Sequence, residues 1–176
     1  TEGTVLFETL PRPVTFAPTV AYGATTTGNG VFIDGVAIKA GVGPETSAKG
    51  SLQALLQLRD DIVPVYQSQM DEIARGLIMA FAETDQTVVP PAPAILAPGL
   101  FTWDVGTIPA ANTVEPGLAA RIKVNPLVIP PSGNPMLIRD GGINGVNYVV
   151  NTTASTGFSD LLNKYDDAFE VRIDFA

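Results

Sequence analysis

The longest periodic pattern of apolar and polar residues runs from Gly50 to Asp85. Its apolar residues recur three or four positions apart, as they do along one face of an α-helix. They are Leu52, Leu55, Leu56, Ile62, Val63, Tyr66, Met70, Ile73, Ala74, Leu77 and Phe81. The polar residues that fall on the opposite face are Gln53, Gln57, Asp61, Ser68, Asp71, Glu72 and Arg75. The pattern predicts one amphipathic helix, about 50 Å long if it is continuous.

Local signals within this helix suggest how it begins and where it is disturbed. Ser51 is the expected N-cap, and Asp71 precedes Arg75 by four positions, which favours a surface ion pair. Pro64 has no amide hydrogen for the carbonyl four positions earlier, so we expect a bend or a pause there, unless a new helix begins at Pro64. Arg59 lies within the apolar stripe. We expect its stem to be buried and its guanidinium to reach water, the alternative being a carboxylate partner across an interface.

Short strands are predicted before the helix. Residues 4–16 mix β-branched and aromatic residues with Pro11 and Pro13, which suits edge strands broken at the prolines. Val31–Ile33 and Val36–Ile38 are apolar runs joined by Asp34 and Gly35, two residues that tolerate the positive φ of a tight hairpin turn. The first fifty residues are therefore expected to be mostly β.

The chain after the helix reads as a mixture of short elements. Residues 87–99 contain four prolines, so we expect an extended linker or strap there rather than a proline-rich peptide ligand. A strand carrying Trp103 is predicted over 101–108, and a helical turn passing into a strand over 117–124. A turn is predicted over 139–142 and a strand over 147–150. A second helix is predicted over 158–169, capped by Thr156 or Ser159.

Together these elements predict an α+β fold. Short antiparallel β-hairpins pack with one long amphipathic helix and a shorter C-terminal helix, joined by connections rich in proline and glycine. The expected organisation is a β-rich segment over 1–49, the long helix over 50–85, a proline-rich linker over 86–99 and a mixed β/α segment over 100–176. These segments would form one or two small domains of a longer protein.

Composition narrows the functional classes. A chain of 176 residues that is 45% hydrophobic is long and apolar enough to bury a core. Its formal net charge of −8 repels nucleic acid and anionic lipid, so neither is an expected partner. No run of roughly 18 apolar residues is present to span a bilayer.

Candidate catalytic chemistry is scarce. The chain contains no Cys and no His, which excludes thiol nucleophiles, imidazole catalysis and disulfides within it. The paired carboxylates Asp60–Asp61, Asp71–Glu72 and Asp166–Asp167 are adjacent on helices, so each pair diverges by about 100° and is expected to be a solvated face.

Asp140 with its two following glycines predicts a turn rather than a calcium loop. The glycines at 28, 30, 41 and 43 lack the flanking strand and helix of a phosphate site. Asn151 begins an acceptor sequon to which we assign no role, and no catalytic, cofactor-binding or metal-binding residue is predicted.

One family resemblance rests on the long helix. Residues 50–85 resemble the family of flagellar hook-associated protein 1, the hook-filament junction protein. Its pattern G-x-L-x-x-L-L-x-x-R-D, a proline, L/M-D-x-x-A-R-x-L and a terminal A-F is matched here. The matching residues are Gly50, Leu52, Leu55, Leu56, Arg59, Asp60, Pro64, Met70, Asp71, Ala74, Arg75, Leu77, Ala80 and Phe81. Residues 122–126 (IKVNP), 137–142 (LIRDGG) and 157–161 (GFSDL) resemble the alphaproteobacterial branch of the family, which residues 5–16 also fit.

The resemblance implies a structural role. The chain would be a central fragment of a secreted, extracellular protein of the bacterial flagellum, an expectation that its start at Thr1 and a strand-like pattern by Val5 also favour. Its partners would be copies of itself in a ring, the hook protein and the neighbouring hook-associated protein. The face of the long helix would normally pack partly on terminal helices outside this sequence, which would leave an apolar strip exposed here.

Two other functions remain open from the residues alone. One is a ligand-binding or adhesive surface domain that uses Trp103, Phe101 and Tyr148 as an aromatic patch. The other is a glycoside hydrolase, which would need two carboxylates converging at roughly 5–10 Å.

Overall fold

The computed structural model describes residues 9–20, 23–41, 45–46 and 50–170. Within them the fold is α+β, as the sequence predicts, with one long helical stretch, a C-terminal helix and small antiparallel sheets. The chain divides into two compact units, Thr1–Gln69 and Met70–Ala176, and the division falls inside the long helix.

The first unit contains a three-stranded antiparallel sheet in the order β1 (Val14–Phe16), β2 (Val31–Ile33), β3 (Val36–Ile38). The hairpin between β2 and β3 is confirmed, since Asp34 and Gly35 have φ of 52° and 78°. The predicted strands over 4–16 are described only from Thr9 onward, and there β1 begins after the second proline, Pro13. The first part of this range, 4–8, lies outside the described residues.

 The core of this unit forms where the inner face of the sheet meets the start of the helix. Val31, Ile33 and Ile38 are buried together with Leu56. Leu52 and Ala40 pack against them at the edge. Alternation along β2 explains this arrangement, because Val31 and Ile33 point to one side while Phe32 points to the other and stays exposed.

The long helical stretch consists of α1 (Ser51–Gln57), a π-helical turn (Leu58–Ile62) and α2 (Val63–Ala80). The N-cap is Gly50 rather than Ser51, because the Gly50 carbonyl already accepts the first helical bond, from the amide of Ala54. The expected disturbance at Pro64 takes the form of the π-helical turn just before it. Pro64 cannot donate to the carbonyl four positions earlier, and the amide of Val63 bonds five positions back to Leu58 instead.

The predicted helix is too long at its C-terminal end, since α2 stops at Ala80 and not at Asp85. The amide of Ala82 turns back to the carbonyl of Met79, and the chain then enters β4 (Glu83–Thr84). This strand pairs antiparallel with β5 (Leu96–Ala97), which lies inside the predicted proline-rich linker. The predicted linker therefore contains a short strand. Its backbone groups form hydrogen bonds with those of β4, the segment that follows α2.

The rest of the second unit is built from short elements. A strand is found at β6 (Phe101–Thr102), but it is shorter than predicted and Trp103 follows it. The helical turn passing into a strand is confirmed, as a 3-10 turn (Leu118–Ala120) followed by β7 (Lys123–Val124), which pairs with β6. A further 3-10 turn (Pro126–Val128) comes next.

Two predictions near the C-terminal helix are wrong in detail. Arg139 and Asp140 belong to the short helix α3 (Leu137–Asp140), and the chain turns only at Gly141, whose φ is 77°. The predicted strand over 147–150 is mostly a 3-10 turn (Val146–Tyr148), with a single bridge between Gly141 and Val149. Local apolar runs do not distinguish a short strand from a short helix, which explains the second error.

The second predicted helix is confirmed as α4 (Asp160–Glu170). It begins directly after Ser159, whose carbonyl accepts a bond from the amide of Asn163. Leu161 and Tyr165 are its buried residues, and they pack with Phe81 in one core cluster of the second unit. A second cluster contains Ala74, Ile78, Trp103 and Leu118.

Candidate functional site

The long helix exposes most of the apolar stripe that its sequence pattern predicts. In the first unit, Leu55 and Tyr66 are 63% and 61% exposed, and Leu58 and Ile62 lie exposed between them. In the second unit, Met70 and Ile73 are exposed as well. We call the four residues Leu55, Leu58, Ile62 and Tyr66 the apolar face. An apolar strip left open on this helix agrees with the expectation drawn from the family resemblance.

The polar side of α2 is buried, contrary to the expectation of a solvated face. Asp71 is 1% exposed, and its two carboxylate oxygens accept hydrogen bonds of 2.8 Å from the backbone amides of Gly117 and Ala119. These amides stand at the start of the 3-10 turn Leu118–Ala120. Asp71 therefore caps a turn that is distant in sequence. The two hydrogen bonds replace those that the carboxylate would make with water if it were exposed.

The ion pair predicted between Asp71 and Arg75 is also wrong in its partner. Arg75 pairs with Glu72, three positions away, and Nη2 of Arg75 lies 2.8 Å from the Glu72 carboxylate. Both side chains are buried. The spacing of Asp71, Ala74, Arg75 and Ile78 contains the signal that could have revealed this burial. Residues three, four and seven positions apart share one helix face, so the two charges lie beside apolar core residues.

A third buried carboxylate, Glu83, has no counterpart in the sequence predictions. It is 2% exposed and accepts hydrogen bonds from the amides of Ile143 and Asn144 and from the Asn144 side chain, at 2.9 to 3.0 Å. No local pattern announces this role, because the donors lie about sixty positions further along the chain. Burial, and then the negative charge of Glu83, raise the pKa of the nearby Tyr165 hydroxyl to about 12.

Polar side chains also organise the loops around α3. Asp140 accepts hydrogen bonds from Arg139 and from Asn151, and these bonds, the one from Arg139 first, lower the pKa of its carboxyl group. The side-chain NH₂ group of Asn151 in turn donates to the carbonyl of Ser155, and its side-chain oxygen accepts from the amide of Ser155. Its side chain is buried and fully engaged, which is a structural explanation for the sequon-like triplet that begins there.

Grooves are present in both units, and one in each bears on the candidate residues. The first, of about 520 Å³, lies in the first unit between residues 23–28 and the side chains of Arg59, Asp60, Val63, Pro64 and Gln67. Arg59 is half-buried, and its guanidinium binds the carboxylate of the adjacent Asp60 and, at 2.8 Å, the carbonyl of Asn29. It therefore links the π-helical turn to the loop beside the sheet, a role that the sequence did not predict.

The second groove, of about 350 Å³, lies in the second unit. It is lined by Glu83, Thr84, Gln86, Tyr148, Val150, Asp160, Leu161 and Lys164. Both oxygens of Glu83 already accept hydrogen bonds from the loop that contains Ile143 and Asn144. This carboxylate is therefore part of the framework of the unit, and its position in the groove wall follows from that role.

The other residues considered from the sequence do not come together as a site. Asp60 is held by Arg59, and Asp166 and Asp167 are exposed on α4, as predicted for a solvated face. Within the described residues, no group of His, Cys, Asp or Glu is arranged to hold a metal ion. None of the helices in the described ranges is both long and apolar enough to cross a membrane.

The proposed aromatic contact patch is not assembled at the surface. Trp103 is 6% exposed, and its indole donates a hydrogen bond of 2.6 Å to the carbonyl of Thr107. The Arg121 guanidinium lies over the Trp103 ring, 4.8 Å from its centroid, and binds Asp104 and Glu115, so it covers one face of the indole. Phe101 packs edge to face on Phe81. Trp103 and Phe101 therefore belong to the core, which is the usual place of aromatic residues, whereas Tyr148 is half-exposed and lines the second groove.

The comparisons with known proteins add no relative. No protein-family model, no curated protein and no solved structure matches this chain.

Proposed function

We propose that this chain forms the outer part of a structural protein of the bacterial flagellum, a subunit of the junction between hook and filament. It acts by packing against neighbouring subunits and transforms no substrate. The parent protein is secreted and extracellular, its copies form a ring, and its other neighbours are the hook protein and the adjoining hook-associated protein. The family resemblance of residues 50–85 is the origin of this proposal.

The observation that supports it most is the exposure of apolar side chains along the helix that bears the resemblance. A helix of a self-contained domain usually buries its apolar stripe, since each large side chain stabilises the fold by about 1.5–3 kcal/mol when it is buried. Here Leu55, Ile62, Tyr66, Met70 and Ile73 are exposed instead. Apolar surface of this kind marks an interaction site, and a subunit that works by packing requires one.

The roles of the other matching residues also support a structural function. Asp71 and Arg75 are buried framework residues, and Asn125 donates to the carbonyl of Gly99 while its side-chain oxygen accepts from the amide of Leu127. Asp140 orders the loop after α3. Several residues of the motifs that carry the resemblance therefore belong to the framework of the fold, which supports a structural role.

Deletion of the parent gene tests the proposal. Electron microscopy of the deletion strain should show hooks without attached filaments, because the adaptor between them is missing. Complementation with a gene encoding Leu55→Glu and Ile62→Glu should restore few filaments, whereas the matched control Val146→Glu, at an exposed position away from the helix, should restore them fully. Intact filaments on normal hooks in the deletion strain would overturn the proposal.

A further inference from the structure

The dipeptide Asn-Gly occurs twice in the sequence, as Asn29–Gly30 and as Asn144–Gly145, and Val follows it both times. Asn is among the chemically labile residues, and it is most labile before Gly, which has no Cβ to hinder attack of its backbone nitrogen on the Asn side chain. The local sequence therefore predicts equal reactivity at the two sites. Their surroundings in the fold, however, carry opposite charge.

At the first site, Arg59 holds the peptide group that joins Asn29 to Gly30. Nη1 of Arg59 donates a hydrogen bond of 2.8 Å to the Asn29 carbonyl oxygen, while Asp60 binds Nε and Nη2 of the same guanidinium. The Asn29 carbonyl oxygen and the Gly30 nitrogen belong to one conjugated amide, so the negative charge left when the nitrogen loses its proton is shared with the oxygen. The guanidinium stabilises this charge, and the deprotonated nitrogen is the nucleophile.

The groups that must move at this site are weakly held. Among the described residues, no backbone carbonyl accepts a hydrogen bond from the Gly30 amide. Asn29 is exposed, and its NH₂ group donates to the carbonyls of Ala17 and Pro18 at 3.1 and 3.2 Å. These two bonds must break before the side chain can turn towards Gly30, so they slow the reaction without blocking it.

At the second site, the neighbouring charge is negative. The Glu83 carboxylate is buried and accepts hydrogen bonds of 2.9 Å from the backbone amide and from the side-chain NH₂ group of Asn144. The NH₂ group also donates to the carbonyl of Pro98, and the Gly145 amide donates to the carbonyl of Gly142 at 3.0 Å. A buried anion beside the dipeptide opposes a second negative charge, and the bond to Gly142 retains the proton that must leave. The fold therefore protects Asn144.

We propose that Asn29 is a site of spontaneous deamidation and that the charge of Arg59 promotes it. The Gly30 nitrogen attacks the side-chain carbonyl carbon of Asn29, a C–N bond forms, and the side-chain nitrogen leaves as ammonia together with the proton that Gly30 has lost. Water then opens the cyclic succinimide: its OH adds to one of the two carbonyl carbons, and its other proton returns to the ring nitrogen. The product carries Asp or isoaspartate at position 29, and water is the only co-reactant.

The modification would undo a contact that organises the first unit. The NH₂ group of Asn29 is the donor to the carbonyls of Ala17 and Pro18, and a carboxylate in its place has no proton to donate and repels both oxygens. Residues 23–28, which line the groove of about 520 Å³, lie between these two anchor points in the chain. We therefore expect the modified chain to hold this loop less firmly.

Peptide mapping of the unaltered chain measures both sites in one sample. After incubation of the folded chain in mildly alkaline buffer, trypsin releases a peptide that ends at Lys39 and contains Asn29 as its single Asn. Mass spectrometry should show replacement of NH₂ by OH at Asn29 while Asn144 stays intact. Because one unit of acidity changes the fraction of deprotonated amide about tenfold, we expect the folded chain to react about tenfold faster, or more, at Asn29. In concentrated urea both sites should react alike, and incubation lasts until they have converted there.

Variants of Arg59 separate its charge from its role in holding the loop. Arg59→Gln removes the charge and keeps a donor, and it should slow the reaction at Asn29 about tenfold in the folded chain while the rate in urea stays the same. Arg59→Lys keeps the charge and should retain most of the rate. Gly30→Ala is the control for hindrance and should slow the reaction in both conditions. Its Cβ would lie 3.2 Å from the ring of Phe32, an exposed side chain that can turn aside.

Three results would contradict the inference. If Asn29 stays intact in the folded chain while both sites convert in urea, the hydrogen bonds to Ala17 and Pro18 control the site and the proposal fails. Equal rates at Asn29 and Asn144 in the folded chain would also overturn it. A faster reaction in Arg59→Gln than in the unaltered chain would mean that Arg59 only restrains the loop. None of these results bears on the flagellar proposal, which the gene deletion decides.

Discussion

Asp71 accepts a hydrogen bond of 2.8 Å from the backbone amide of Ala119, which lies 48 positions further along the chain. The second carboxylate oxygen accepts from Gly117, so one side chain on α2 holds the start of the 3-10 turn Leu118–Ala120. A buried carboxylate in this arrangement is a framework residue, and three of the predictions below concern the framework of the second unit.

Replacing Asp71 by Asn should destabilise the second unit. The Asn side chain keeps one acceptor oxygen but turns an NH₂ group towards the other backbone amide, which leaves a buried donor unsatisfied. The expected loss in the free energy of unfolding is about 1–3 kcal/mol. Urea denaturation followed by circular dichroism measures it. Asp167→Asn is the matched control, since Asp167 is exposed on α4, and a change as large there would contradict the assignment.

The hydroxyl of Tyr165 should make stability depend on alkaline pH. Its pKa is raised from 10.0 to about 12 by burial and by the charge of Glu83. A group with a raised folded-state pKa contributes its full stabilisation below the unfolded pKa, so stability should be constant up to about pH 10 and fall as the pH rises towards 12.

Tyr165→Phe checks this dependence. The hydroxyl has no hydrogen-bond partner among the described residues, so its removal should leave stability at neutral pH unchanged or slightly higher. Thermal unfolding between pH 8 and 12 should then show a smaller fall than the unaltered chain. Tyr148→Phe, at a half-exposed position, serves as control and should retain the full pH dependence. An unchanged slope in Tyr165→Phe would contradict the prediction.

Gly99 should not tolerate a side chain. A Cβ atom there would lie 2.1 Å from the carbonyl oxygen of Phe81, so the two backbone segments would have to separate. Gly99→Ala should cost on the order of 1–3 kcal/mol in unfolding free energy. At Gly157 a Cβ meets nothing within 4 Å, and Gly157→Ala should cost far less. Equal losses for the two variants in urea denaturation would show that the close approach is relaxed in solution.

The exposed and buried parts of the apolar stripe should respond differently to truncation. Phe81 is buried and packs on Phe101 and Tyr165, so Phe81→Ala should cost about 3–5 kcal/mol. Ile73 is exposed, and Ile73→Ala should cost less than about 1 kcal/mol in a dilute sample. A large loss at Ile73 would mean that this side chain is covered in solution.

The sequence predicts those elements whose signals are local. The hairpin at Asp34 and Gly35 follows from turn chemistry, and α4 follows from its periodic apolar residues. The long helix follows from the same periodicity, although its end at Ala80 does not. That end depends on the pairing of β4 with β5, a contact between segments that no local pattern connects.

The hydrogen-bond partners of the buried charges could not be predicted, for a related reason. Periodicity places Asp71 and Arg75 on one helix face with Ala74 and Ile78, but it does not show which groups pack against that face. Glu72 supplies the partner of Arg75 within the helix, whereas the donors to Glu83 come from residues 143 and 144. Contacts across such separations become visible only in the folded chain.

The hydrogen bonds from Ile143 to Glu83 and from Ala119 to Asp71 also bear on how fast the second unit acquires its structure. The first joins positions 60 residues apart and the second joins positions 48 residues apart. A large loop must therefore close, at a cost in chain entropy, before either bond can form. Chains dominated by such nonlocal contacts fold slowly compared with those built from neighbouring turns. We therefore expect the tertiary contacts of this unit to form more slowly than its local turns.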